Sequence, residues 1–145
     1  MLRAIASHSI RSYQAELDYG PDFTRAAVTI RKDSVLCDAT GVPSWVGLEY
    51  MAQTVGVYSG IEDVQRGERP AIGLLLGSRS YRASVPCFPI GARLVVTAKL
   101  ELRDGNSLVV FSCDIEEEGV CRAVGDVKAY RPTDIHALRA GLTID

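Results

Sequence analysis

A chain of 145 residues with 47% hydrophobic content, 23% charged content and a net charge of −2 is long enough for one domain with a substantial core. It has no basic surplus for nucleic acid, and its longest apolar stretches are broken by Glu49, Arg79 or Lys99 too early for a membrane span. Met1 to Ser7 lacks the core of a signal peptide, so the expected address is cytoplasmic.

Along the chain, Ser7 to Leu17 reads as a strand ended by the turn signal Gly20-Pro21-Asp22, and Arg25 to Ile30 as a second. Arg31 to Val42 is polar and turn-rich. Pro43 suits a first helical position, where its missing N–H costs nothing. The predicted helix runs to Gly60, with Glu62 to Arg69 as the alternative stop, and Pro70 forbids its return. Ile72 to Val85 supplies another strand. Arg93 to Arg103 then alternates, with Leu94, Val96, Ala98, Leu100 and Leu102 on one face, as a half-buried antiparallel strand does. Asp104-Gly105-Asn106 turns the chain into Leu108 to Glu116. A second turn near Glu118-Gly119 leads to Val120 to Tyr130, where Pro132 stops pairing.

Pro43 to Gly60 contains one charged residue, Glu49, among apolar residues spread around most of the circumference. A helix of that kind is expected to be enclosed, and a carboxylate on it needs either a pocket or a partner such as Arg79 or Arg82. Ala52, Gly56 and Gly60 give the helix a small-residue face that a sheet can approach. At 1.5 Å per residue it is about 27 Å long, close to the width of a sheet. Strands, one long helix, then a meander make an α+β hotdog fold, one domain over residues 1–145, with an open sheet edge suited to dimer pairing.

Cys37, Cys87, Cys113 and Cys121 form no C-x-x-C pair, and His8 and His136 accompany no ligand cluster, so neither metal nor cofactor is expected.

Three motifs carry a resemblance. Pro43-x-Trp-Val-Gly-Leu-Glu49-Tyr-Met-Ala-Gln53, Leu75-Leu-Gly-Ser-Arg-Ser-Tyr81 and Phe88-Pro-x-Gly91-x-x-Leu94 together resemble the 3-hydroxyacyl-acyl-carrier-protein dehydratases. The nearest subgroup is the dehydratase-like proteins of aryl-polyene clusters. The similarity runs from about Ala26 to Tyr130. It implies a dehydratase acting on 3-hydroxyacyl chains held by an acyl carrier protein, working as a homodimer or higher oligomer. The common dehydratase has a catalytic His in the loop before the helix; here that place falls near Ser34 or Val35, and no His lies between His8 and His136.

The implied chemistry takes a proton from C2 and protonates the leaving hydroxyl at C3. Glu49 is the expected acid. Ser44 and Trp45, at the helix start, are expected to offer N–H groups to the thioester oxygen. Gln53, one turn beyond Glu49, either orients the carboxylate, binds the departing water, or satisfies backbone. Ser34 stands at the place of the missing His, either against substrate or bonded to its own backbone. The base is then Glu49 itself, His8, Asp38, or none. The alternatives to a dehydratase are a hotdog acyl-thioesterase and a non-catalytic partner subunit that binds acyl carrier protein.

Overall fold

The computed structural model describes residues 13–68, 75–104 and 108–130. In its main antiparallel sheet β1 (Tyr13–Tyr19) pairs with β2 (Phe23–Thr29), and β2 with β7 (Arg93–Arg103). The sheet continues through β8 (Leu108–Glu117) and β9 (Val120–Tyr130). Both β4 (Leu75–Gly77) and β5 (Tyr81–Ala83) pair with β9, while β3 (Val42–Pro43) makes a short separate ladder with β6 (Cys87–Phe88). One helix, α1 (Gly47–Gln65), lies across the sheet, which is the hotdog arrangement. Val28, Leu94, Val96, Phe111, Ile115 and Val127 from the strands meet Met51, Val55 and Tyr58 from the helix in one core.

The meander follows the alternating pattern closely, and the predicted bounds of β7 and β9 hold at both ends. Leu94, Val96 and Ala98 are fully buried. Leu102 departs from the pattern: a register shift between Leu100 and Leu102 turns it outward, and it is exposed. The turn at Glu118 and Gly119 has positive φ at both residues, as a two-residue hairpin needs.

Three expectations are corrected. The helix starts at Gly47, after a 3₁₀ turn over Ser44–Val46, because Pro43 is extended (φ −55, ψ 140) in the β3 ladder. It continues past Gly60 to Gln65, inside the alternative stop expected over Glu62 to Arg69, and ends in a Schellman motif. There the N–H groups of Glu68 and Gly67 donate to the carbonyls of Asp63 and Val64, with Gly67 at φ +75. Secondly, the strand expected over Ile72 to Val85 is, where described, two short strands separated at residues 78–80. Thirdly, the small-residue face is not closed over along its length: Gly60 is buried, but Ala52 and Gly56 are half-exposed, and a Cβ on Gly56 would touch nothing. The helix is covered on its other sides and open along this one. His8, Pro70, the apex at Gly105 and Asn106, Pro132 and His136 lie outside the described residues.

Candidate functional site

The open face of α1 forms one side of a cavity of about 780 Å³. Its lining includes Leu48, Glu49, Tyr50 and Gln53 from the helix, Trp45 from the turn before it, Val35 and Leu36 from the preceding loop, and Ser78 and Val127 from the sheet side.

The helix start is braced from below. Ser44 N–H donates to the Pro86 carbonyl (3.1 Å), and the Tyr81 hydroxyl donates to the Ser44 carbonyl. Burial pushes the Tyr81 phenol up to about 12, so it remains a donor. Gly47 makes this contact possible, since a Cβ there would collide with the Tyr81 hydroxyl. Ser44 is therefore structural: its N–H is committed to Pro86 and cannot face a thioester oxygen. Trp45, the next residue, is 63% exposed on the cavity wall.

Glu49 stands one turn further along. The expected burial is corrected: its side chain is exposed, because the cavity opens over this face and nothing among the described residues covers it. Its Oε1 accepts a hydrogen bond from Gln53 Nε2 at 3.0 Å. Neither Arg79 nor Arg82 is paired with it among the described residues. Gln53 Oε1 points inward, buried and without a donor among the described residues. Turning the amide the other way would set that oxygen against the Glu49 oxygen in place of the N–H. Tyr50, pushed up to about 12 by burial first and by nearby Cys37 second, remains a phenol.

The loop before the helix behaves differently from its sequence reading. Ser34 Oγ accepts from the Arg31 N–H (2.8 Å) and is absent from the cavity wall, so of its two expected roles the bond to local backbone is the one formed, and the contact with substrate is not. Asp38 is similarly committed, its Oδ1 accepting from Thr40 N–H, Thr40 Oγ1 and Gly41 N–H at 2.8, 2.7 and 3.2 Å. The Thr40 hydroxyl leads in holding this carboxyl below its usual range, and it does not line the cavity. What the loop brings to the wall is apolar. Cys37 N–H donates to the Ser34 carbonyl, closing a turn with Leu36 at φ +63. A left-handed backbone costs a residue with a Cβ about 1–2 kcal/mol. Leu36 is nevertheless 56% exposed and Val35 61% exposed.

Sequence reasoning missed both residues, although two adjacent apolar side chains in a polar segment were a usable signal. It also missed Asp126. Asp126 Oδ1 accepts from the N–H groups of Arg79 (2.8 Å) and Ser80 (2.9 Å) and from Ser78 Oγ (3.4 Å), fixing the 78–80 loop at the cavity's far wall. The Ser80 N–H leads in lowering its pKa. No spacing or motif marks this residue.

An antiparallel sheet around one helix, with a single carboxylate on the helix's open face, defines a hotdog protein with a ligand-sized cavity. The ApeP-like family profile, described as ApeP dehydratase, matches residues 14–140, and the chain belongs to this dehydratase family. Among solved structures, the dehydratase heterocomplex ApeI:P from Xenorhabdus doucetiae is similar at 25% identity and TM-score 0.78, over 91% of this chain and 90% of that one. AziG from S. sahachiroi shares 18% identity at TM-score 0.61, over 81% of this chain and 90% of its own. A hypothetical thioesterase with coenzyme A from Streptococcus pneumoniae shares 11% identity at TM-score 0.62, over 90% and 95%. The last two show the fold alone. No curated protein matches the sequence. No helix among the described residues is long and apolar enough to cross a membrane.

Proposed function

We propose that this chain supplies the carboxylate of a dehydratase site for 3-hydroxyacyl thioesters carried by an acyl carrier protein. The observation that carries the reading is Glu49, exposed on an otherwise apolar helix face, bonded to Gln53 and opening on a mostly apolar cavity. An acyl chain fits such walls, and a hydroxyl at C3 can reach such a carboxylate.

Glu49 can run the elimination with one proton. The carboxylate takes the C2 proton, the C2–H electrons form the double bond, and the C3–O bond breaks as the new carboxylic acid protonates the leaving oxygen. Gln53 serves both states: its amide N–H holds the carboxylate, and a flipped amide offers Oε1 to the protonated acid. With Asp38 committed to its turn, no second carboxylate and no His among the described residues lines the cavity.

The open cavity also supports assembly with a second hotdog subunit that covers the exposed face, either another copy of this chain or an unlike partner. The ApeI:P heterocomplex favours the unlike partner. In that arrangement the partner contributes the base, and Glu49 acts as the acid that protonates the departing hydroxyl.

The test is mass spectrometry of a carrier-bound 3-hydroxyacyl substrate, with the chain alone and co-expressed with a hotdog subunit from its own gene neighbourhood. Loss of water is expected, and Glu49→Gln abolishes it in a fold that melts normally. Release of the acyl group would mark a thioesterase. An unchanged substrate in both preparations would mark a binding subunit.

A further inference from the structure

The turn from Ser34 to Cys37 holds a left-handed leucine that joins no core cluster among the described residues. Leu36 has φ +63, a region that favours Gly or Asn at this turn position. It is 56% exposed and belongs to no buried cluster among the described residues, so the strained backbone recovers no core packing from them. The turn around it is firmly tied: Ser34 bonds back to Arg31, Cys37 bonds to Ser34 and packs on the core, and Asp38 caps the Thr40–Gly41 backbone. A leucine held out on a braced turn, at a cost, points to a contact made outside the folded protomer.

The cavity says what that contact is. Leu36 and Val35 share it with Trp45 and Val127, while its carboxylate and amide, Glu49 and Gln53, sit on the helix. An occupant with its reacting end at Glu49 presents whatever lies beyond to these apolar side chains. We propose that Val35 and Leu36 form a rigid apolar finger that grips the alkyl chain of the acyl group and gives the site a preference for long chains. This rests on the acyl-thioester reading above. A subunit docked on the finger is the competing occupant. A tail of several methylenes is favoured because finger and carboxylate line one cavity large enough for such a ligand.

Leu36→Asn and Leu36→Gly test it, since both residues accept the left-handed backbone. Binding is measured by calorimetry with two non-reactive thioethers, S-dodecyl and S-butyl pantetheine, beside melting temperature and sedimentation. In Leu36→Asn the dodecyl thioether is expected to lose at least tenfold more affinity than the butyl one, while the melting temperature stays level or rises. Leu36→Gly is expected to lose the same preference. An unchanged ratio between the two thioethers overturns the proposal. So does an unchanged ratio with loss of oligomer, which assigns the finger to a subunit contact. Dodecyl binding with no loss of water from the carrier-bound 3-hydroxyacyl substrate would fail the dehydratase reading and leave the chain preference measurable. No binding of either thioether to the unmodified chain would overturn both.

Discussion

The two halves of α1 are built for different purposes. At the C-terminal half, Tyr58 donates to the Pro21 carbonyl at 2.8 Å and sets its ring edge-on to Phe111, with centroids 5.2 Å apart. Glu62 pairs with Arg103 of β7 at 2.8 Å, and Gly67 closes the last turn. At the N-terminal half the bracing is beneath, through Tyr81, Ser44 and Pro86, while Trp45 and Glu49 above it stand open. One end of the helix is tied to strand and loop by its own side chains, and the other is fixed only from below. The helix thus carries Glu49 beside the cavity without covering it, which is the arrangement the proposed chemistry needs.

The sharpest test of this contrast is Glu49→Gln. Turnover of a carrier-bound 3-hydroxyacyl substrate should fall by about 10²–10⁴-fold, the usual worth of a positioned acid or base. The melting temperature should stay level, because the side chain is exposed and its bond to Gln53 can be remade by an amide. A large stability loss with full turnover would invert the comparison.

Gly47→Ala attacks the bracing under the open end. The new Cβ overlaps the Tyr81 hydroxyl and comes within 2.8 Å of Ile115 Cδ1, so a loss of about 1–3 kcal/mol is expected in denaturant titration. Tyr81→Phe removes the atom in the way as well as its bond to Ser44. The double variant should therefore lose less than the sum of the two single ones. Additive losses would show that the close approach is not what makes Gly47 necessary.

At the anchored end, Tyr58→Phe should lower stability by about 1 kcal/mol, for the bond to Pro21, and leave turnover unchanged. A fall in turnover without a fall in stability would join the two halves into one functional unit.

The meander was legible in the sequence because period-two alternation is a local property, and in β7 and β9 nothing overrides it. The long helix was legible from its composition, but its start was not: the β3 ladder and the Pro86 carbonyl, both contacts remote in sequence, hold residues 43 and 44 out of it. The open face was misread for a related reason. Apolar residues around a helix report burial somewhere, and Trp45, at 63% exposure, belongs to a surface that the described residues do not cover. Glu49, Trp45 and Gln53, which line the cavity, could be singled out because their types are out of place or carry a motif. Ser34 stands between two roles in the sequence and Ser44 takes the wrong one, because a serine's use depends on which backbone group lies beside it. Asp126 was invisible, since its partners lie more than forty residues earlier in the chain.

The smallest expected effect separates two aspartates on neighbouring strands. Asp126 is held below the ordinary carboxyl value of 3.8, first by the Ser80 N–H. Asp114 is raised above that value, first by burial and then by Glu116. The signs oppose. The folded state releases the Asp126 proton more readily than the unfolded state, so its stabilisation is present above pH 3.8 and lost as pH falls through the lower folded value. Asp114 binds its proton more tightly when folded, so its contribution is present below pH 3.8 and lost as pH rises through the higher folded value. Asp126→Asn should therefore lower the melting temperature at pH 7 and flatten the fall below pH 4. Asp114→Asn should raise it at pH 7 and steepen the net acid loss, because a compensating gain at low pH has been removed. Both shifts should be modest, since Asp126 is close to solvent and water screens its bonds. Melting curves from pH 7 to pH 2.5 decide the matter. If both variants move the acid limb in the same direction, the nest at Ser78 to Ser80 is not what holds the far wall of the cavity.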